Sequence, residues 1–500
     1  MTGVPRSKSC QNCRIKKIKC DKNWPTCNQC TRSRKPCPGP TSRTKFVHYT
    51  QNGSGGDFPE SSAITGMDTQ NQAGDGQQKT VMTKYGRSKK HGEEDSSFAV
   101  FRLHVPRANL TTSAERTGAR LVNLWERNKT GGMVLQNSFI PHLPARLSRS
   151  ACLRDCTALF CSVWNEYRRG KPVETLLDTP LYGKALRSLQ HAFQGPDVYT
   201  VETLGAMVLL ERSYTMFGNL TPGSVKGHHR AIETVLKKKP PLNLEDDLEV
   251  TLAFENSNLL HAASLNGSSN YVSDERWREL LTKVTLDSMA EEEMQPFADE
   301  PLYTIDLLNT LIESAHWISQ LRANPQKSRD LRDMASKKLR AHSTRMESMS
   351  LRCTTKAFNM GSLREVPDED SITGFRFEST SVKFAQVYAS WLNLQIVLSR
   401  MVYELKVIDG NDGEDEYAAY KAGCTQLWNF VPYLSRVDTI AALHMIGVIL
   451  PSLEAANDIE LEYIVDECYK ADEYSKRLPK DRETLIAKSI LLAKSRTGRL

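Results

Sequence analysis

The sequence has no apolar run long enough to span a bilayer. Its longest, residues 439–450, contains His444 and falls well short of the roughly 20 consecutive apolar residues that a transmembrane helix needs. The first residues are polar and cysteine-rich, and they lack the apolar segment of a secretory signal peptide. We therefore expect an intracellular protein without a membrane partner, whose thiols stay reduced.

Sequence signatures of catalysis are also missing from residues 99–500. There is no GxGxxG following a strand, no phosphate-binding GxxxxGK[ST] loop, no HExxH pair and no GxSxG elbow. We therefore expect that the protein is not an enzyme. An enzyme is the class of protein that these absences argue against most strongly.

Negative charge is nearly absent from the beginning of the chain. Residues 1–46 contain twelve lysines and arginines but a single acid, Asp21, which gives this stretch a net charge of +11. The whole chain carries +7, so the remaining residues carry −4. Because the basicity is confined to one short stretch, it predicts a local binding surface for a polyanion.

Cysteines are concentrated in the same stretch. Of the twelve in the chain, six fall within residues 10–37. The others are scattered through sequence with helical periodicity, at Cys152, Cys156, Cys161, Cys353, Cys424 and Cys468. A dense cysteine cluster in a reducing compartment indicates metal binding rather than disulfides.

The spacing of these six cysteines is two copies of C-x2-C-x6-C joined by a six-residue loop. Two tetrahedral zinc ions need eight ligand positions, and six thiolates supply them if two thiolates each bind both ions. The spacing therefore predicts two Zn²⁺ per chain. The predicted ligands are Cys10, Cys13, Cys20, Cys27, Cys30 and Cys37.

The segment CQNCRIKKIKCDKNWPTCNQCTRSRKPC resembles the fungal Zn2Cys6 binuclear-cluster DNA-binding domain. The resemblance includes all six cysteines, the basic run RIKKIK, Asp21 and the loop proline Pro25. It implies that Cys10 and Cys27 are the bridging thiolates and that double-stranded DNA is the partner. It further implies a nuclear regulator of RNA polymerase II genes that reads a CGG-type triplet in the major groove.

The basic run supplies the candidate DNA contacts. If Cys13 opens a helix, the N-terminal end of that helix would carry Lys16 and Lys17 outward, where a lysine can donate to guanine O6 and N7. We expect Lys17 first and Lys16 second to contact bases. The cations expected to neutralise phosphates are Arg14, Lys19, Arg34 and Lys35.

Other interpretations of the cysteine module exist. It could be a metal store, a disulfide-linked secreted module, or a zinc module that binds protein, with the helical region carrying the function and no specific DNA binding. As a charge run alone, RIKKIK would be a solvated face or a nuclear import signal. The paired spacing together with RIKKIK favours DNA contact over each of these.

The rest of the chain has helical periodicity. Apolar residues recur at steps of three and four in the segments 148–168, 198–217, 245–264, 301–321, 381–408 and 437–455, whereas strand-type alternation is scarce. We expect an all-α protein with four regions. These are a DNA-binding domain (1–40), a disordered linker (41–98), an ambiguous connecting segment (99–147) and a helical domain of packed helix pairs (148–500).

Parts of the helical region resemble the regulatory domain of the fungal-specific transcription factor family. The stretches are GHHRAIETVLKKKPP, LEVTLAFENSNLLHAA and SDERWREL, with His228, Ala231, Leu236 and Pro240 in the family's frame. The resemblance implies a domain for regulation and for contacts with transcription co-regulators. A homodimer stays open, because residues 41–98 contain no coiled-coil heptads.

Two groups of metal-ligand residue types also occur in this region. The adjacent pair His228 and His229 cannot place both rings on one helix face, so we expect one packed and one exposed ring rather than a metal site. Cys152 and Cys156 can share a face, and we expect them, with Cys161, to be small buried apolar side chains.

Overall fold

The structure is a computed structural model of the 500-residue chain. It describes residues 9–21, 26–37, 111–127, 137–217, 222–239, 242–324 and 329–500. The chain divides into two units, Met1–Val105 and Pro106–Leu500. The predicted linker 41–98 lies outside the described residues.

The first unit contains two short helices, α1 (Gln11–Ile15) and α2 (Asn28–Arg32). Each begins directly after the first cysteine of a C-x2-C pair, and the second cysteine lies inside the helix. Five of the six cysteines are buried. Ile15 and Ile18 are exposed, so the interior of the described part of this module consists of thiols.

The second unit is helical, which confirms the all-α prediction. Its helices are α3 (Ser113–Glu126), α4 (Ala151–Arg168), α5 (Thr179–Phe193), α6 (Val201–Phe217), α7 (Pro222–Lys238), α8 (Asp247–Glu255), α9 (Ser257–Leu265), α10 (Glu275–Met289), α11 (Tyr303–Ala323), α12 (Arg329–Asn359), α13 (Val382–Ile408), α14 (Glu414–Trp428), α15 (Thr439–Ile449), α16 (Asp458–Ala471) and α17 (Arg482–Arg496). Within the described ranges, no helix has the length and apolarity to cross a membrane.

Short 3-10 helices join several of these elements. They are Ile140–His142, Pro144–Arg146, Val173–Thr175, Pro196–Tyr199, Tyr271–Ser273, Glu292–Phe297, Val431–Arg436 and Leu450–Ala455. The last one continues α15, so the periodic segment 437–455 is an α-helix followed by a 3-10 helix. A proline at the second position of that 3-10 helix, Pro451, lacks the backbone N–H that would continue the α-helical pattern.

One periodic segment, 245–264, forms two helices rather than one. The backbone of Asn256 leaves the helical region (φ −103°, ψ 5°) between α8 and α9. Its side-chain amide donates to the carbonyl oxygen of Leu252 at 2.8 Å, which satisfies a carbonyl at the end of α8. An asparagine that bonds to local backbone competes with the helix, and this explains the break.

A two-stranded antiparallel hairpin interrupts the helical order between α12 and α13. Strand β1 (Leu363–Pro367) pairs with β2 (Phe375–Ser379), with Leu363 opposite Ser379. The buried side chains of Leu363 and Phe377 attach the hairpin to the core, and the Phe377 amide donates to the Asn429 carbonyl at 2.8 Å. Tertiary contacts thus stabilise strands that would be marginal alone.

Three clusters of buried apolar side chains hold the helical unit together. The first cluster is formed mainly by α4 to α10, the second by the hairpin with α13 to α17, and the third by α11 to α13. Residues before position 148 belong to the first cluster, among them Leu121, Phe139 and Leu143. The described parts of the segment 99–147 therefore pack as part of the helical unit.

The last residues of the chain are packed into this unit. Gly498 adopts a positive φ of 68°, and a Cβ added there would lie 1.9 Å from the carbonyl oxygen of Ala315. The next residue, Arg499, is 7% exposed and forms two hydrogen bonds to the carboxylate of Glu454. Only glycine combines this backbone conformation with so close an approach.

Candidate metal centre and nucleic-acid interface

The two halves of the cysteine module have the same backbone structure, displaced by 17 positions. Helix α1 ends with a hydrogen bond from the Ile18 amide to the Cys13 carbonyl (3.0 Å), and α2 ends with the equivalent bond from Lys35 to Cys30 (3.1 Å). A backbone hydrogen bond from the amide of residue i+5 to the carbonyl of residue i is typical of a helix whose C-terminus is capped by a residue in the left-handed conformation. The sequence repeat is therefore also a structural repeat.

The left-handed residues at these helix ends are Lys17 (φ 53°) and Arg34 (φ 49°). Glycine usually occupies such a position, because the conformation costs other residues about 1–2 kcal/mol. Both positions nevertheless carry long cationic side chains, and both side chains are exposed. Strained residues of this kind concentrate at functional sites, where the surrounding structure holds them in place.

The cysteine sulfurs form two overlapping groups of four. One group contains Cys10, Cys13, Cys20 and Cys27, and the other contains Cys10, Cys27, Cys30 and Cys37. Within each group all the ligand atoms lie within 4.8 Å of one another. Cys10 and Cys27 belong to both groups, which is the arrangement that the eight ligand positions of two tetrahedral ions require.

Individual sulfur distances fit tetrahedral zinc. The Cys10 and Cys27 sulfurs lie 3.7 Å apart, and so do those of Cys10 and Cys30 and those of Cys13 and Cys27. Two thiolates at the corners of a tetrahedron around zinc, each with a Zn–S bond of about 2.3 Å, would be separated by about 3.8 Å. The residues present therefore fit two zinc ions.

The electrostatics of these thiols also favour a cation. The backbone N–H of Cys13 and the Cys27 thiol lower the pKa of Cys10, but desolvation and the thiols of Cys13 and Cys30 outweigh them and raise that pKa to about 12. Bound zinc supplies the positive charge that keeps clustered thiols deprotonated. The surrounding lysines and arginines add to it.

Two polar side chains tie the halves of the module together. The Asn12 side-chain amide donates to the Cys30 sulfur (3.6 Å) and to the Pro36 carbonyl oxygen (2.9 Å). The Asp21 carboxylate accepts from the Asn28 amide at the start of α2, at 3.2 and 3.1 Å. We did not identify Asn12 from the sequence, although its position in the repeat matches another amide, Gln29.

The structure corrects the predicted position of the basic residues. We expected Lys16 and Lys17 near the N-terminal end of a helix opened by Cys13, but α1 begins at Gln11, and both lysines follow its C-terminal end. The module is too tight for a longer helix, because the chain must turn back at Lys17 to bring Cys20 to the sulfur cluster.

The candidate DNA contacts lie in both halves of the repeat, and those with described side chains are solvent-accessible. Lys16, Lys17, Lys19, Arg34 and Lys35 are exposed, and among the residues that the structure describes none of them forms an ion pair. Arg14 lies in α1, but its side chain is outside the described residues, as is the loop proline Pro25. The five described cations are thus available to an external anion.

Among the described residues of the helical unit, no three metal-ligand side chains cluster as the cysteines of the module do. Cys152, Cys156 and Cys161 are buried, as expected for small apolar side chains. His228 and His229 are both partly buried rather than one packed and one exposed. His229 contacts the Glu211 carboxylate at 3.2 Å, and the His228 ring packs against Tyr214.

Residues 8–45 match the model of the fungal Zn(2)-Cys(6) binuclear cluster domain. Neither the curated proteins nor the solved structures contain a match to the chain. The match covers the six clustered cysteines and the RIKKIK run. Domains of this family bind two zinc ions and are typically the DNA-binding domains of transcription factors, so residues 8–45 form a zinc-binding, DNA-binding module of transcription regulation.

Proposed function

We propose that this protein is a nuclear transcription regulator of RNA polymerase II genes that reads a CGG-type triplet in the major groove. The observation that carries the proposal is a cluster of two sulfur groups that share Cys10 and Cys27. The two helices attached to this cluster end in exposed cationic residues, Lys17 and Arg34. Among the described residues, the exposed Lys17 and Arg34 at the two helix ends have no ion pair, and this favours a polyanion such as DNA as the partner.

In this proposal, all six cysteines are zinc ligands and the cations divide the work of recognition. Lys17 and then Lys16 contact base edges, because a lysine held by a rigid turn can donate to guanine O6 and N7. The phosphate contacts come from Arg14, Lys19, Arg34 and Lys35, which fix the register of the module on DNA without reading sequence.

The helical region, residues 148–500 as delimited by the sequence, would then act as the regulatory domain that contacts co-regulators. In the same proposal, residues 1–40 are the DNA-binding domain and residues 41–98 are a linker. Whether the protein binds as a homodimer would be reported by the selected DNA itself, as one triplet or as two triplets at a fixed spacing.

Selection of random duplexes by the zinc-loaded full chain tests this function. We expect an enriched motif that contains a CGG-type triplet. If no motif is enriched, the module is better explained as a zinc-stabilised protein-interaction domain with a helical scaffold and no specific DNA binding. Binding should also weaken steeply with salt, because phosphate contacts release counterions.

The structural repeat provides a matched pair of variants for the individual roles. Lys17→Ala should reduce affinity for the selected motif by about 1–3 kcal/mol and relax its sequence preference. Arg34→Ala, at the equivalent left-handed position, should weaken binding to all sequences alike and reduce the salt slope by about one. Because both changes leave similar backbone strain, their difference isolates the side chains. A uniform loss from Lys17→Ala would reassign Lys17 to phosphate.

A further inference from the structure

The helical unit contains a large cavity that the cysteine module does not use. It has a volume of about 810 Å³ and lies between α8 and α10 on one side and α12 and α13 on the other. This size is typical of sites for small molecules, which are often formed between helices.

Its walls are mainly apolar and aromatic. Phe254 of α8, Phe297 of the 3-10 helix Glu292–Phe297 and Trp391 of α13 contribute aromatic rings, and Val387 and Leu394 extend the α13 wall. Phe254 is 39% exposed, so its ring is accessible from the cavity side. The cavity can therefore receive an apolar body, and its rings provide faces that attract a cation.

Charged residues at the cavity are of two kinds. The lysines and the arginine are already paired with carboxylates: Lys283 with Asp287 (3.2 Å), Lys383 with Glu291, and Arg352 with Glu300 (2.8 Å). Two carboxylates on the same face of α8, Asp247 and Glu255, have no ion pair among the described residues. The wall of the cavity formed by α8 thus carries surplus negative charge.

Only one of the two carboxylate oxygens of Glu255 has hydrogen-bond partners among the described residues. Its Oε1 accepts hydrogen bonds from the backbone amide and the hydroxyl of Ser138, both at 2.5 Å. Its Oε2 is shielded from solvent and has no hydrogen-bond partner within the described ranges. Burial raises the pKa of Glu255 to about 7, although the charge of Arg212 and the bonds from Ser138 act in the opposite direction. A buried carboxylate of this kind is stabilised by an added donor or cation.

We propose that this cavity binds a small amphipathic amine, with its apolar body against Phe254, Phe297 and Trp391 and its ammonium group on Glu255. An anionic ligand would find no free cation, because the cationic side chains that line the cavity are paired. A metal ion would lack ligands, because the described residues hold three or more clustered ligand atoms only at the cysteine module. The inference goes beyond the DNA-binding proposal and does not depend on it.

Three probes of nearly equal size and different charge test the proposal on the full chain. They are 4-phenylbutylamine, 4-phenylbutanol and 4-phenylbutyrate, with affinity measured by calorimetry and by thermal shift. The amine should bind about tenfold more tightly than the alcohol, a difference of about 1.4 kcal/mol, because only the amine brings a positive charge to the Glu255 carboxylate. The carboxylate should bind most weakly. Equal affinities, a preference for the carboxylate, or no binding of any probe would overturn the proposal.

Variants then locate the site. Glu255→Gln should bring the ratio of amine to alcohol affinity close to one, whereas Glu249→Gln should leave the preference intact. Glu249 is on the same helix but pairs with Lys239 and does not line the cavity. Ser390→Phe, which narrows the cavity from α13, should weaken all three probes. An amine preference that survives Glu255→Gln would contradict the assignment, and the wild-type selectivity remains decisive if a variant fails to fold.

Discussion

In the cysteine module the buried side chains are thiols, whereas in the helical unit they are large apolar groups such as Trp428, Tyr303 and Phe160. The module even leaves Ile15 and Ile18 exposed, at 72% and 44%. About 30 residues cannot bury enough apolar surface to offset the entropy of folding, so a metal must replace the core. The comparison shows how one chain solves the same problem in two ways.

Polar groups are used differently in the two regions as well. In the module, Asn12 and Asp21 act as cross-links between the halves, and the described cations Lys16, Lys17, Lys19, Arg34 and Lys35 are exposed and form no ion pair. In the helical unit, charges join into buried networks: Arg499 binds Glu454, Arg400 contacts Glu454 at 3.5 Å and Glu404 at 2.9 Å. The exposed cations of the module are thus available to a partner, whereas these ion pairs stabilise the helical unit.

Removal of zinc should have the largest effect, because it should unfold the cysteine module and leave the helical unit folded. A chelator withdraws metal-binding free energy of about 10–16 kcal/mol for a structural zinc site, so α1, α2 and DNA binding should be lost. The helical unit should unfold at an unchanged temperature. Six of the seven tryptophans lie outside the module and report on that unit by fluorescence. A large fall in its melting temperature on chelation would show that the helical unit also depends on metal.

Two cysteine variants should sharpen the metal side of the comparison. Cys27 belongs to both sulfur groups, but Cys37 belongs to one. Cys27→Ser should therefore disrupt both zinc sites, whereas Cys37→Ser should retain close to one zinc ion per chain. Native mass spectrometry measures the zinc count. Equal metal loss from the two variants would argue against shared thiolates.

A glycine variant should test how much close packing contributes to the stability of the helical unit. Gly498→Ala should destabilise the helical unit by about 2–4 kcal/mol, because it adds a clash with the Ala315 carbonyl to the strain of a positive φ. Gly170 has a similar φ of 65° but open space around its Cβ, so Gly170→Ala should cost only about 1 kcal/mol. Urea unfolding followed by tryptophan fluorescence compares them. Equal costs would mean that the close approach at Gly498 contributes nothing.

Two partly buried glutamates in the helical unit should respond oppositely to pH. The folded-state pKa of Glu255 is about 7, against an ordinary value of 4.5. Protonated Glu255 therefore contributes to stability fully below pH 4.5, and this contribution is lost as the pH rises through 7. Glu255→Gln should then stabilise the unit by about 2–3 kcal/mol above pH 7 and by much less below pH 4.5.

Glu454 provides the opposite case. Burial acts to raise its pKa, but the hydrogen bond and charge of Arg499, together with Arg400, lower it. Its contribution to stability is therefore present above pH 4.5 and is lost as the pH falls through the lowered folded-state value. Glu454→Gln should destabilise the unit at pH 7 and progressively less in acid. Melting temperatures measured from about pH 2 to about pH 8 test both variants, and parallel profiles would contradict the assignment.

Much of the fold was predictable from apolar periodicity, and the reasons for the exceptions are local. The segments 301–321 and 381–408 became α11 and α13, because their apolar stripes face the buried clusters. The hairpin was missed, since strands of five residues attached through Leu363 and Phe377 leave little alternation to detect. The break at Asn256 depends on a side-chain bond that competes with a continuous stripe.

The sequence by itself determined the zinc module, because the spacing of six cysteines leaves few ways to build two tetrahedral sites, and it determined the helical class of the rest. Only the tertiary structure decided where Lys16 and Lys17 lie relative to α1, since the turn at Lys17 is imposed by the return of Cys20 to the sulfurs. It alone also decided which carboxylates stay unpaired. That outcome depends on helices distant in sequence meeting around a cavity, and no local pattern records it.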